Sequence, residues 1–241
     1  MTTLDKSVLA GMPLVEGWPP GDVEALLKEA RAQRYAKGAA VFEQGGEAAS
    51  FFLLLHGHLQ VTKITPAGQQ VVVRYVAPGE LFGIAVQMGR GTYPATATAV
   101  VDCLALAWPS AAWPKLVARF PSLASSALQT VGSRLSDAHA RVVEMSTEQV
   151  ERRVAHALLR IANQSGRKAE GGIEITFPIT RQDLAEMTGA TLYTISRILS
   201  AWEADGLIDG GRQKIFIRAP HRLFVLAEGR EADGSPSTKE L

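Results

Sequence analysis

The sequence predicts an α+β chain with an N-terminal double-stranded β-helix (jelly roll), a long helix and a C-terminal winged helix-turn-helix. Short β-rich runs with glycines at the turns fill residues 35–108. A helical stretch follows Pro121, and further along a glycine joins two capped helices that precede two short strands. The predicted domains are residues 1–110, 111–147 and 148–228, followed by a disordered tail at 229–241.

Composition narrows the class of protein before any motif is considered. The chain is 46% hydrophobic and 20% charged, which is typical of a globular protein. It has no apolar run of membrane-spanning length and no secretory signal, so we expect a cytoplasmic protein with no membrane partner. The single cysteine, Cys103, excludes an intramolecular disulfide and a four-cysteine iron–sulfur cluster. Lys and Arg number 25 against 24 Asp and Glu, so charge alone does not predict nucleic-acid binding.

The N-terminal half combines one helix with the jelly roll. Apolar residues at helical spacing after Asp22 predict an amphipathic helix over residues 22–34. In the β region, "TPAGQQ" predicts a hairpin turn in which Gly68 has positive φ. Because two facing sheets enclose a cavity, the jelly roll predicts a ligand site.

The long helix is predicted from Pro121 to Thr147 and carries a narrow apolar seam with spacings of 3, 4, 3, 4 and 3. Such a heptad seam calls for a partner helix, so it predicts a parallel homodimer. Packing on its own domain is the alternative, although a wider apolar stripe is usual in that case. The predicted dimer interface consists of Leu128, Val131, Leu135, Ala138, Val142 and Met145.

The C-terminal region begins with a predicted helix at residues 148–163, a polar loop "QSGRKAEGG" and a strand "IEITFPIT". Thr180 can cap the next helix, with Asp183 at capping-box spacing. Gly189 ends that helix, and Thr191 caps the following one. Two short strands around Gly210 and Gly211 predict a wing.

The second helix of this pair has one apolar side and one open side. Its predicted buried residues are Ile195, Ile198, Leu199 and Trp202. On the open side, the fork of Arg197 can bond O6 and N7 of a guanine, while a helix N-terminus suits a phosphate oxygen. The predicted DNA contacts are Thr180, Arg181, Thr191, Leu192, Tyr193, Ser196, Arg197 and Arg212.

Nearly the whole chain resembles the CRP/FNR family of bacterial transcription regulators. The segments that carry the resemblance are "YAKGAAVFEQGG", "FFLLLHGHLQV", "YVAPGELFG", "STEQVERRVAHALLRIA" and "PITRQDLAEMTGATLYTISRILSAWEADGLI". The resemblance implies a homodimer that binds double-stranded DNA at a near-palindromic site, with an effector in the jelly roll modulating affinity. For an activator it also implies RNA polymerase as a partner.

Departures from the family pattern affect the base-reading residues. Ser196 and Arg197 match the family's Ser-Arg pair. Tyr193 stands where many members have a glutamate that accepts from a cytosine amino group. A tyrosine can instead offer one hydroxyl or pack on a thymine methyl, so we expect the target site to differ from those of the relatives.

Departures also affect the effector site. The pair Gly79 and Glu80 matches cyclic-AMP-binding members, but the later Arg-Ser pair that holds the phosphate is replaced by Tyr93 and Pro94. Arg90 precedes Tyr93 by three residues and could substitute. The family's adenine-reading pair falls at Ala138 and His139, so we do not expect cyclic AMP as the effector. The candidate effector residues are Gly79, Glu80, Arg90, Tyr93, Ala138 and His139.

The cofactor question remains open at this point. The iron–sulfur branch of the family is excluded by the cysteine count. The carbon-monoxide-sensing branch has a haem-binding histidine after the Gly-Glu pair, where this chain reads "LFGIAVQM". "GTYPATATA" and "TPAGQQ" resemble the branch that responds to nitrogen oxides, which implies a heme-dependent nitric oxide sensor as the alternative.

Other chemistry is not indicated. His56 and His58 form a His-x-His pair without a following glutamate, so we expect solvated histidines and no metal. His139 is interpreted as a solvated helix residue, and Cys103 as a small buried one. Since no catalytic arrangement stands out, we expect no enzyme. Two rival hypotheses are a cupin-type metalloenzyme, which needs three or four convergent ligands, and a signalling module that no longer binds DNA.

Overall fold

The computed structural model describes residues 6–9, 11–211 and 213–229, and divides into two compact units, Met1–Ala140 and Arg141–Leu241. The predicted tail beyond residue 229 and the predicted DNA contact Arg212 lie outside the described residues. In the described part, no helix has both the length and the hydropathy needed to span a bilayer.

The first unit is built from strands that follow a short helix. Its helices are α1 (Pro20–Lys28), α2 (Trp113–Arg119) and α3 (Pro121–Thr147), the last of which continues into the second unit. Its strands are β1 (Arg31–Tyr35), β2 (Ala40–Phe42), β3 (Ser50–His56), β4 (Leu59–Ile64), β5 (Gln70–Val76), β6 (Leu81–Phe82), β7 (Thr96–Ala99) and β8 (Cys103–Pro109).

Two antiparallel sheets confirm the predicted jelly roll. Their strand orders are β1-β8-β3-β6 and β2-β7-β4-β5. Between them, the rings of Phe42, Phe52, Phe82 and Tyr93 stack with centroid distances of 3.9–6.1 Å. The predicted hairpin is also present: Gly68 has φ +78° and its N–H donates to the Thr65 carbonyl at 2.9 Å, between β4 and β5.

The prediction of a helix through residue 34 is wrong, because α1 ends at Lys28 and the chain continues as β1. β1 pairs with β8 in full register, from Arg31 opposite Ala107 to Tyr35 opposite Cys103. The indole N–H of Trp108 donates to the Leu26 carbonyl at 3.0 Å and so satisfies one acceptor of the last helical turn. A strand partner some 70 residues away therefore outweighs the local helical spacing.

Helix α3 runs from Pro121 to Thr147 as predicted, and its apolar seam is exposed in the single chain. Leu128, Leu135, Val142 and Met145 are 72%, 56%, 64% and 50% exposed, and Val131 is half-buried. Apolar side chains of this size rarely form a continuous exposed stripe unless a partner covers them.

The second unit contains the C-terminal elements. Its helices are α4 (Val150–Ser165), α5 (Arg181–Thr188), α6 (Leu192–Ala204) and α7 (Pro220–Ala227). Its strands are β9 (Gly166–Ala169), β10 (Gly172–Ile175), β11 (Ile208–Gly211) and β12 (Lys214–Ile217), in the sheet order β11-β12-β10-β9. The predicted wing is therefore confirmed as the β11–β12 hairpin.

The predicted polar loop after α4 is wrong, because it contains strand β9, which pairs with β10 across a turn at Gly171 (φ +79°). All four β9 residues are exposed. A strand with no buried side has no apolar alternation, so its sequence reads like a loop.

The last turn of α3 packs on α4 and α5 within the second unit. Glu144 is buried and forms an ion pair with Arg160 of α4. Arg153 of α4 donates from Nε to the Thr188 carbonyl at 3.2 Å and from Nη1 to the Glu148 carbonyl at 3.0 Å. These contacts join the end of α3 to the helix pair α5–α6.

Candidate nucleic-acid interface and ligand cavity

Helix α5 begins with the predicted capping box. The Asp183 N–H donates to the Thr180 hydroxyl at 3.0 Å, and the Thr180 N–H donates to the Asp183 carboxylate at 2.7 Å. Two N–H groups that a helix start leaves without partners are thereby satisfied. The cap therefore fixes the residue at which α5 begins.

A glycine turn connects α5 to α6, as predicted. Gly189 lies in the left-handed region (φ +64°), and its N–H donates to the Ala185 carbonyl. A Cβ at this position would lie 2.8 Å from Cε of Met145, the flexible end of a half-exposed side chain, so it is the positive φ that favours glycine here. Thr191 then caps α6, since its hydroxyl accepts from the Thr194 N–H at 3.1 Å and lies 2.9 Å from the Thr194 hydroxyl.

Helix α6 has a buried side that anchors it and an open side that faces solvent. Ile195, Leu199 and Trp202 are buried as predicted, whereas Ile198 is only half-buried because it lies at the margin of the stripe. The indole N–H of Trp202 donates to the Glu151 carboxylate of α4 at 2.9 Å. On the open side Arg197 is exposed and Ser196 half-buried.

The two apolar residues at the start of α6 are exposed. Tyr193 is 76% and Leu192 49% exposed. The stretch from residue 192 to 200, "LYTISRILS", carries Arg197 as its sole charge. A capped helix therefore presents an arginine, a phenol and an aliphatic side chain from one rigid scaffold.

A groove of about 580 Å³ lies between the start of α5, helix α6 and the wing. It brings together Thr180, Arg181 and Leu192 of the predicted contacts, and Arg181 lies 3.7 Å from the Glu203 carboxylate. Tyr193, Ser196 and Arg197 are on α6 outside the groove lining. The groove also includes Lys214, which sequence reasoning missed although its position beside the wing turn was a usable signal.

A separate cavity of about 210 Å³ lies in the jelly-roll unit. Of the predicted effector residues, Arg90 and Tyr93 line it, whereas Gly79, Glu80, Ala138 and His139 do not appear among its described lining residues. The full lining is Phe42, Val61, Arg74, Gly83, Ile84, Ala85, Met88, Arg90, Tyr93, Pro94, Ala95 and Arg134.

Sequence reasoning missed two of the three arginines that line this cavity, Arg74 and Arg134, and identified the third, Arg90. Arg74 Nη1 lies 2.7 Å from the Glu80 carboxylate, which also accepts from the Ala77 N–H at 3.1 Å. Arg134 Nη2 donates to the Leu81 carbonyl at 2.6 Å, and Arg134 Nε is buried with no hydrogen-bond partner among the described residues. Burial, assisted by the charge of Arg74 and opposed by that of Glu80, lowers the pKa of Arg134 to about 9.

Tyr93 has a structural role in the cavity wall. It is buried, its hydroxyl donates to the Ser50 carbonyl at 2.7 Å, and the same hydroxyl accepts from the Ser50 N–H at 3.2 Å. Burial raises the pKa of Tyr93. The Tyr93 hydroxyl therefore already donates to and accepts from the Ser50 backbone. Of the two predicted effector residues that line the cavity, Arg90 is the one with an exposed side chain.

The histidines and the cysteine that the sequence singled out differ in how far they are buried. His56 and His139 are exposed, but His58 is half-buried, which corrects the expectation that both barrel histidines are solvated. Burial lowers the pKa of His58 to about 4, so its ring is neutral at pH 7. Cys103 is buried as expected, with its thiol donating to the His58 and Val101 carbonyls. Across the described residues, no three His, Cys, Asp or Glu side chains converge as a metal site would require.

Comparison with known proteins gives two family matches. Residues 152–225 match the Crp-like helix-turn-helix domain, and residues 32–120 match the cyclic nucleotide-binding domain. The cyclic AMP receptor protein of Thermus thermophilus is 28% identical over 221 residues, which cover 92% of this chain and 99% of that protein. The transcriptional activator protein Anr of Pseudomonas aeruginosa is 23% identical over 200 residues, covering 83% of this chain and 82% of that protein.

The fold is also found in a solved structure of low sequence identity. FixK2 from Bradyrhizobium japonicum superposes with a TM-score of 0.72 at 21% identity, covering 82% of this chain and 96% of that one. The shared architecture is a sheet domain, a long helix and a C-terminal helix-turn-helix.

Proposed function

Because the chain belongs to the CRP/FNR family of transcription regulators, we propose that it acts as a homodimer that binds a near-palindromic DNA site in a sequence-specific way. The observation that carries this proposal is the open side of α6, where Tyr193 and Arg197 are exposed on a capped and anchored helix. If the protein activates transcription, RNA polymerase is its further partner.

The exposed seam of α3 supports the homodimer. Leu128, Leu135 and Val142 repeat at heptad spacing and are each more than half exposed in the single chain. Pairing of two α3 helices would cover them, as in a parallel coiled coil. Two identical α6 helices then account for a site with two related halves.

Replacing Arg197 with alanine tests the base-reading role. We expect a loss of about 1–3 kcal/mol of binding free energy on the specific site, with relaxed preference at one base position, because the bidentate contact to guanine is removed. The measurement is a titration of fluorescent DNA duplexes that vary at each position of a site selected from random DNA. Arg119→Ala removes an exposed arginine of α2 and serves as the control. Equal weakening on all sequences would mean that Arg197 contacts only phosphate.

For the effector, the cavity lining supports a small anion. The lining residues Arg74, Arg90 and Arg134 contribute three positive charges, and the carboxylate of Glu80 pairs with Arg74. The unpaired Nε of Arg134 is a buried donor that an anionic oxygen would satisfy. Cyclic AMP is disfavoured, because Glu80 is engaged by Arg74 and Tyr93 by Ser50.

A haem does not fit these residues. The cavity of about 210 Å³ is below the roughly 300–1,000 Å³ of pockets for drug-sized ligands. Its described lining contains neither histidine nor cysteine, two common axial ligands of haem iron. The hydroxyl of Tyr93 is engaged by the Ser50 backbone, which leaves Met88 as the potential axial ligand among the described lining residues. We therefore favour an anion over the heme-dependent alternative that the sequence left open.

The purified protein is expected to have no Soret band in its visible spectrum, and inorganic phosphate is expected to raise its melting temperature. A ligand that binds only the folded state adds RT ln(1 + [L]/Kd) to the free energy of unfolding, where [L] is the free ligand concentration. Arg134→Met should abolish the phosphate effect, while Arg119→Met should preserve it. A Soret band in the purified protein would contradict the proposal and restore the haem alternative.

A further inference from the structure

We propose that α6 reads the 5-methyl group of a pyrimidine through the ring of Tyr193, within two base pairs of the guanine that Arg197 contacts. This inference rests on the proposed function, since it assigns part of the target sequence to a named contact. The ligand chemistry is a C5-methyl on the major-groove edge, which thymine and 5-methylcytosine share.

The spacing on α6 places the two readers within one or two base pairs of each other. Tyr193 and Arg197 are four residues apart and therefore lie on the same helical face. Their separation along the helix axis is about 6 Å, at a rise of about 1.5 Å per residue. Adjacent base pairs are about 3.4 Å apart, so the two side chains reach positions one or two steps from each other.

Exposure separates Tyr193 and Leu192 from the other large apolar residues of α6. They are 76% and 49% exposed, whereas Ile195, Leu199 and Trp202 are at most 3% exposed and Ile198 is half-buried. The cap at Thr191 fixes the first turn, so both side chains project from a defined position. An exposed phenol and an aliphatic group beside a lone positive charge suit the surface of DNA, which carries apolar methyl groups and is polyanionic overall.

The chemistry of the DNA major groove determines which base an apolar side chain can select. Each base pair presents donors and acceptors in the major groove, and the thymine C5-methyl is the apolar group among them. A phenol hydroxyl lacks the carboxylate charge that favours accepting from a cytosine amino group. The ring therefore favours a methylated pyrimidine over an unmethylated cytosine.

The experiment changes single methyl groups in the DNA, first within an unchanged pair with adenine (thymine against uracil) and then within a pair with guanine (5-methylcytosine against cytosine). A site is first selected from random duplexes with the full-length protein, and each thymine is then replaced, one at a time, by uracil. We expect about fourfold weaker binding at one thymine within two base pairs of the guanine that Arg197 reads, as burial of one methyl-sized group implies. Cytosine at that position should bind weakly, and 5-methylcytosine should recover about fourfold.

Variants assign the effect to the ring. Tyr193→Ala should bind the uracil and thymine sites equally, whereas Tyr193→Phe should keep the preference because the ring remains. Arg197→Ala should bind more weakly yet retain the methyl preference. Circular dichroism checks that each variant keeps its helices.

The outcomes separate this inference from the proposed function. Failure of the wild-type protein to select any site would contradict DNA binding itself. Selection of a site on which no uracil substitution changes affinity, or on which Tyr193→Ala keeps the methyl preference, would overturn the methyl-reading role while leaving the regulator proposal intact.

Discussion

Leu135→Asp is expected to convert the proposed dimer into a monomer and to raise the dimer dissociation constant at least about 100-fold. Leu135 lies at the centre of the α3 seam and is 56% exposed in the single chain. In a parallel pair the two aspartates would face each other in an apolar interface. A buried charge without a partner costs about 3–5 kcal/mol, and each 1.4 kcal/mol is a factor of about ten.

Sedimentation velocity measures the conversion from dimer to monomer directly. We also expect weaker DNA binding, because a monomer presents one α6 to a site that has two halves. Ser133→Asp is the matched control, since it adds the same charge to an exposed residue on the side of α3 away from the seam. If Leu135→Asp sediments like the wild-type protein, α3 does not form the dimer interface.

Trp202→Ala is expected to lower the free energy of unfolding of the second unit by about 3–5 kcal/mol, as for other large-to-small changes in a protein core. Trp202 is 1% exposed and its indole N–H donates to Glu151 at 2.9 Å. The substitution leaves a cavity in the core, and it removes the hydrogen-bond donor of the Glu151 carboxylate. Since these contacts attach α6 to α4, we also expect loss of specific DNA binding.

Urea unfolding followed by far-ultraviolet circular dichroism measures this loss. Trp202→Phe keeps most of the packing and removes the hydrogen bond, so it should cost about 1 kcal/mol. Equal stability of Trp202→Ala and Trp202→Phe would show that the hydrogen bond, and not the packing, anchors α6.

The elements that sequence predicted well are those whose signals are local. The capping box at Thr180 and Asp183, the glycine at 189 and the cap at Thr191 each act within a few residues. Pro121 likewise sets the start of α3 through its own fixed φ. In such cases neighbouring residues decide the conformation, and distant contacts only reinforce it.

The elements that sequence missed depend on partners far along the chain. β1 forms because β8 is available to pair with it, and β9 forms because Gly171 returns the chain onto β10. Two of the cavity arginines were missed for the same reason, since Arg74 and Arg134 are 60 positions apart. A clue existed in "VVVRYV", where a charged residue interrupts an apolar strand, but its neighbours became visible only in the fold.

Strand β9 has a consequence for how the chain avoids aggregation. It lies at the end of its sheet, is four residues long and is fully exposed, and it carries Arg167 and Lys168. Short, positively charged edge strands resist the addition of a strand from another molecule. Uncontrolled growth from this edge into fibres is thereby discouraged, and the apolar seam of α3 remains the surface through which copies of the chain would pair in a closed assembly.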